Sequence, residues 1–596
     1  MLNEVVSKLQ GAVDLDRTMS VARAIWESDR WFSFDRFAQT AGYCAEELRR
    51  ADLDEVGLIQ FPADGETKFG DWTMPLAWDA RQARLEIVEP AGEQPRLLAD
   101  YQQTPTSLVM WSAPTPPGGV QGEVVAADDV GQAPDVAGKI VLTGRHARDL
   151  KAWATERGAL GIVSDYSPQR EKLPKATFWT NAWSDAPDGW AQLRADSRAW
   201  GFSLPPATGK RLRELLARGK VVLRAQVDTR LYDGAVPVVT AAIHGAKCPD
   251  EEALAYAHLY EVGANDNAAG CAVLMEGLRV LQALIRAGEL PPPQRTIRLL
   301  LESECYGTVA YAQEHLLGRN RRLATSLIVD EATQKQETGG QPLTAHLLPA
   351  CQASFEEALL EACLQAGLGD TRQRRWSPWA LVDCICGDPV LGRGGLWLGQ
   401  SDLYWHTSDD TPEKTDPEVV RGLTIAAAAY LWSAANVADK HDQWLRTRTI
   451  LFNGALHDAR RNDHGRPQEP GSRFGAWRTA RATRSLPGAL QVSCPEAIEC
   501  FAAQGAPGSD LIPSRRGVGT LTFEGIPRRE WERFGSPRWS APQALALFWC
   551  NSKRSVAEIA ARVELECGPQ KTDWLEYFCF LERHGYVSIG KADDRG

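Results

Sequence analysis

HLYEVGANDNAAG, residues 258–270, sets a histidine, a glutamate and an aspartate into a short turn between two apolar segments. Before it, ALAYAH (253–258) reads as a buried strand. After it, NAAGCAVLMEGLRVLQALIRAG (267–288) places Leu274, Leu278, Leu281 and Ile285 at helical spacing, and Gly288 followed by three prolines ends the helix. The same rhythm continues along the chain. TIRLLLESE (296–304) is an expected strand, YGTVAYAQEHLLG (306–318) a helix and TSLIVD (325–330) a further strand. Strands alternating with helices predict an α/β fold, a mostly parallel sheet with helices on both faces.

The 596 residues are too many for one core, and three or four domains of roughly 100–200 residues are expected. Residues 1 to 57 show helical spacing, and TKFGDWTMPLAWDARQARLEIV reads as turns and a strand. Residues 106–235 read as a small α/β unit: DVAGKIVLTGR feeds a strand, and DLKAWATERGALGIVSDY is a helix ended by Gly158 and then a strand. Beyond residue 440, HDARRNDHGRPQEPGSR is polar and reads as a loop. SAPQALALFWC, SVAEIAARVELE and TDWLEYFCFLERHGYVSIG then read as three helices and a strand, the order of a winged-helix module. The expected division is 1–105 with 236–440 as one discontinuous domain, 106–235 as an insert, and 441–596 as a C-terminal region.

Charge and composition narrow the function classes. The formal net charge is -11, and residues 509–596 hold 13 Lys and Arg against 12 Asp and Glu, so no nucleic-acid partner is expected. The winged-helix-like module is expected to pack or to support a homo-oligomer. The most apolar stretch, LTIAAAAYLWSAANVA, is short for a membrane span and no membrane partner is expected. The N-terminal residues lack a basic-then-apolar signal pattern, so the 13 cysteines are expected as reduced thiols or ligands in the cytoplasm.

Five residues fall where open α/β sheets bind ligands, outside the carboxyl ends of the strands. His258, Glu304 and Asp330 end their strands, Asp266 lies in the turn quoted above, and His406 follows in SDLYWHTSDDTPEKTD. Each has an ordinary reading alone: a core histidine, a helix-capping aspartate, a strand-end acid, a turn histidine, or a solvated Glu302–Glu304 pair. Together they suit zinc, whose usual non-thiolate ligands are imidazole nitrogen and carboxylate oxygen. A carboxylate can also bridge two metals, and Glu304 can serve as general base.

AHLYEVGANDNAAGCAVLMEGLRVL, ESECYGTVAYAQ, SLIVD and WHTSDDTPEKTD resemble the co-catalytic zinc aminopeptidases, a family that includes glutamate carboxypeptidase, transferrin receptor and glutaminyl cyclase relatives. DVAGKIVLT and ERGALGIVSDY resemble the protease-associated domain inserted in many exopeptidases. The resemblance implies metal ligation by His258, Asp266, Asp330 and His406, with Asp266 bridging and Glu304 as base. The chain departs from the family at Glu304-Cys305, where the family has two adjacent glutamates, a base and then a metal ligand. Either Cys305 is a thiolate ligand, or the second site is weak and one zinc serves, with Glu304 then free to ligate it. The implied activity is a zinc-dependent exopeptidase, with one or two zinc ions, hydrolysing a peptide or amide bond by metal-activated water. The alternatives are a cyclising acyltransferase of the glutaminyl cyclase type, a non-catalytic binding scaffold, and a transcriptional regulator, the last disfavoured by charge. Tyr260, Glu261, Tyr306 and Tyr404 flank the motif residues and are expected to shape the substrate pocket or simply to pack.

Overall fold

A computed structural model describes residues 2–131, 134–186, 188–318, 322–335, 342–369, 374–377, 384–400, 402–464, 469–486, 510–538 and 540–590. Its largest sheet has eight strands in the order Asp54–Ala63, Gly234–Ile243, Arg295–Ser303, Cys248–Leu259, Arg322–Val329, Leu396–Gly399, Leu343–His346 and Arg374–Ser377. Residues 253–259 of the strand Cys248–Leu259 are all buried, as a central strand covered on both sides must be. It runs parallel to both neighbours, pairing His258 with Glu302 and Tyr256 with Ile328. Three strand ends therefore come level, and they deliver His258, Glu304 and Asp330 to one edge.

Among the described residues the sheet is mixed, with four parallel strand pairs and three antiparallel ones. Asp54–Ala63 with Gly234–Ile243, Gly234–Ile243 with Arg295–Ser303, and Leu343–His346 with Leu396–Gly399 are antiparallel pairs. A parallel return needs a crossover of a dozen or more residues. Only residues 244–247 separate Gly234–Ile243 from Cys248–Leu259, so the chain must reverse direction there.

The helix Ala268–Arg286 lies on the central strands and packs against Pro417–Ala435. A methyl at Gly277 would stand 3.4 Å from Ala428, so the two helices approach closely at that point. Ala268–Arg286 is long and apolar enough to cross a membrane, yet 83% of that window is buried inside the protein, as a core helix is. The N-terminal helices Leu2–Ala12, Leu15–Asp29 and Phe34–Arg50 complete this layer against the helices Ala268–Arg286 and Pro417–Ala435 and the strand Gly234–Ile243.

A second sheet has seven strands: Leu97–Asp100, Ala77–Glu89, Val222–Tyr232, Val120–Ala126, Ile140–Thr143, Gly161–Ser164 and Gly201–Ser203. It draws on Ala77–Glu89 and Leu97–Asp100 as well as on strands within 106–235. Toward the C-terminus residues 457–464 and 469–473 of the polar stretch are helical and not loop, and the rest of it lies outside the described residues. Helices Asp442–His464 and Glu469–Arg484 run into it from both sides, because its arginines and alanine favour a helix despite their polarity. Helices Ala541–Trp549, Val556–Cys567 and Trp574–Arg583 follow, and Ile512–Arg515 pairs antiparallel with Val587–Gly590. Ser555 and Glu558 form a capping box at the start of Val556–Cys567. This region is tied to the turn at residues 71–73: Asp71 accepts from the amides of Thr522 and Phe523, and the Trp72 indole donates to the Thr520 carbonyl at 3.0 Å.

Candidate metal centre

The turn 258–270 is held by partners distant in sequence. Asp410 accepts from the amides of Asn265 at 3.0 Å and Asp266 at 3.1 Å. Asn265 donates to Asp402 at 2.7 Å and accepts from the amide and hydroxyl of Thr333. Asn267 donates to the Val329 carbonyl at 2.9 Å, which fastens the turn to the neighbouring strand end. Two glycines are required by close approach. A methyl at Gly263 would lie 2.1 Å from Asp410 and 2.4 Å from the Asp266 carbonyl, and one at Gly270 would lie 2.5 Å from the Val329 carbonyl. Asn267, not Asp266, occupies the cap position of the following helix and makes no side-chain cap bond, so Asp266 is left to face the site.

Four of the sequence-predicted residues converge. His258 Nε2 lies 3.0 Å from Asp330 Oδ1 and 3.5 Å from Asp266 Oδ1. His406 Nε2 lies 3.5 Å from Asp266 Oδ2. The two oxygens of Asp266 thus face two different imidazoles, the geometry of a carboxylate shared between two neighbouring sites. All four side chains are buried or nearly so. Sequence reasoning missed how central Glu261 is: its Oε2 lies 3.5 Å from His406 Nε2, and donor atoms of His258, Glu261 and Asp266 fall within 4.8 Å of one another. The available signal was its place in the same turn, three residues after His258. Asp402 and Asp410, which hold the turn, were also missed.

Glu304 follows the last strand residue, Ser303, and its carboxyl is hydrogen-bonded to that of Glu261. It does not form a solvated pair with Glu302. Glu302 is buried, accepts from the Thr308 amide and hydroxyl, and lies so close to Gly307 that a methyl there would meet its Oε2 at 2.5 Å. Cys305 is buried at the start of the helix Tyr306–Tyr311 with a left-handed φ of 60° and is outside the converging trio.

His406 is positioned by the second sheet's region. Trp179 donates its amide to the His406 carbonyl at 2.6 Å, and the Ser408 amide donates to Thr177 at 2.9 Å. The His406 ring is stacked on Trp405 with centroids 3.9 Å apart.

Electrostatics sharpen the picture. Burial, then the charge of Asp330, pushes Asp266 up to about 8, with His258 opposing. Burial and the charges of Asp266 and Glu304 push Glu261 well above the usual carboxylate range. Burial, then the charges of His146 and His258, pulls His406 down to about 3, which keeps its imidazole neutral and its lone pair available. Carboxylates held together out of water are costly unless a cation compensates them. The donor set, imidazole nitrogen and carboxylate oxygen, fits zinc.

Beside Glu261 and Glu304 opens a pocket. Its apolar walls are Pro75, Met110, Trp111, Trp179, Trp190 and Leu259, and Tyr306 closes one side. Tyr306 is wedged between Trp72 and Trp190, with ring centroids at 5.6 and 5.5 Å. Tyr260 also borders the pocket while its ring stacks on Phe37, and Tyr404 lies against Lys414, away from the pocket walls.

Residues 238–339 match the family described as peptidase family M28. No curated protein matches the sequence. Among solved structures, a peptidase M28 precursor from Shewanella amazonensis is similar at 18% identity and a TM-score of 0.53, over 73% of this chain and 96% of that one. A zinc aminopeptidase from Bacillus subtilis is similar at 15% identity and a TM-score of 0.52, over 71% and 95%. A glutaminyl cyclase from Bacteroides thetaiotaomicron reaches a TM-score of 0.28 over 34% of this chain, too low to weigh for the cyclase alternative. The peptidase M28 match thus falls on the segment that carries the turn 258–270, and the surrounding fold is similar to that of a solved zinc aminopeptidase.

Proposed function

We propose that the chain is a zinc-dependent exopeptidase that removes an N-terminal residue from a peptide. The observation that carries this reading is Asp266, whose two oxygens face His258 and His406 at 3.5 Å each. His258, Asp330 and Asp266 hold one side of the centre, and His406 and Asp266 the other. Zinc held by these residues would supply polarisation of the scissile carbonyl and a lowered pKa for water. Glu304, at the edge of the pocket, takes the proton of the attacking water and hands it to the leaving amine.

The pocket walls predict the substrate's first side chain. Burying an apolar side chain is worth about 1.5–3 kcal/mol, so kcat/KM for a leucyl or phenylalanyl anilide should exceed that for the aspartyl anilide by at least about tenfold. Blocking the substrate's free amine by acetylation should remove cleavage. Preference for an aspartyl substrate, or equal cleavage of the acetylated one, would contradict the reading.

A further inference from the structure

We infer that Glu261, and not Cys305, completes the second half of the metal centre, so that the chain holds two zinc ions on nitrogen and oxygen donors alone. The inference rests on the zinc-hydrolase reading above and specifies its ligands. Two donors bound to one tetrahedral zinc at about 2.0–2.2 Å stand about 3.4 Å from each other. His406 Nε2 lies 3.5 Å from Glu261 Oε2 and 3.5 Å from Asp266 Oδ2, which is that spacing on both sides. His406, Asp266 and Glu261 therefore form a second set of three protein ligands, with Asp266 common to it and to His258 and Asp330.

The backbone explains why Glu261 reaches the centre. It lies two residues beyond the end of the strand Cys248–Leu259, in the turn that Asp410 pins through the amides of Asn265 and Asp266. Gly263, with no room for a methyl, lets the chain fold back tightly enough for Glu261 and Asp266 to approach. Glu261 belongs to the trio, with His258 and Asp266, whose donor atoms lie within 4.8 Å of one another. A carboxylate from the first strand's turn thus takes the role that a glutamate at position 305 would fill. Three carboxylates, those of Glu261, Asp266 and Asp330, then face two divalent ions, and Glu304 remains for the proton.

The test is zinc per chain after loading and exhaustive dialysis, read for the wild type, Glu261→Gln and Cys305→Ser, with the visible and near-ultraviolet spectrum of each cobalt-loaded protein. The wild type and Cys305→Ser should each retain two ions, Glu261→Gln one, and no cobalt-loaded form should show a thiolate-to-cobalt charge-transfer band. Glu261→Ala serves as a second variant, and the ion each variant keeps shows that it has folded. Two ions in both Glu261 variants, or one ion in Cys305→Ser, or a thiolate band in the wild type, overturns the inference. A wild type that holds one ion overturns it too, yet leaves a zinc hydrolase standing. A wild type that binds none overturns this inference and the functional reading together.

Discussion

Glu304→Gln is expected to lower kcat by between about 10² and about 10⁴, the range general-base catalysis supplies, with KM little changed. Glutamine keeps the shape of the side chain and can still hydrogen-bond to Glu261, the carboxyl to which Glu304 is joined. It cannot accept a proton. Glu304 lies half-exposed at the pocket edge, just past the buried strand Arg295–Ser303, so no core packing depends on its charge. Zinc content and the thermal unfolding midpoint should therefore match the wild type. If Glu304→Gln lost zinc instead, Glu304 would be a ligand. If it kept near-normal turnover, the base would lie elsewhere.

Asp266→Asn is expected to lower activity by on the order of 10³-fold or more, because polarisation by metal contributes several kcal/mol to such a transition state. Its effect on stability should have two signs. In metal-free protein, Asp266 is a buried acid pushed up to about 8 by burial and by Asp330. Asparagine removes that charge, so the metal-free variant should unfold at a higher temperature than the metal-free wild type, by a margin that grows as pH rises from 3.8 and is full above about 8. Zinc at a hundred times its dissociation constant should stabilise the wild type by about 2.7 kcal/mol. It should add little to the variant, which offers neither histidine a shared anionic oxygen. Calorimetry of the four samples separates these effects. A variant that zinc stabilises as strongly as the wild type would remove Asp266 from the centre.

Much of this architecture is legible in the chain because the motif lies on regular elements. Strand periodicity places His258, Glu304 and Asp330 at strand ends, and the parallel pairing of Cys248–Leu259 with both neighbours brings those ends level. Turn residues are harder to read. Which way Glu261 points depends on Asp410 and Gly263, one of them almost 150 residues away along the chain. No local pattern encodes that contact, so Glu261 reads as a pocket residue rather than a member of the cluster. The antiparallel strand pairs are hard to read for a related reason. Alternating strands and helices suggest crossovers, but the four residues between Gly234–Ile243 and Cys248–Leu259 leave no length for one. Residues 457–464 and 469–473 differ on another ground: their polarity predicts a loop, whereas arginine and alanine tolerate a solvated helix well. Trp179 and Ser408 join the second sheet's region to the His406 loop through backbone hydrogen bonds, which carry no sequence signature at all.

We propose that a zinc centre built on His258, Asp266, Asp330 and His406 performs hydrolysis from a free N-terminus. The most direct measurement is mass spectrometry of a short peptide with an apolar first residue and of one beginning with glutamine, incubated with chelator-stripped protein before and after zinc is restored. Loss of one N-terminal residue only after zinc is returned is the predicted result. An intact chain length with loss of ammonia from the glutamine peptide would instead mean cyclisation, and no change in either peptide on adding zinc would contradict catalysis at this centre.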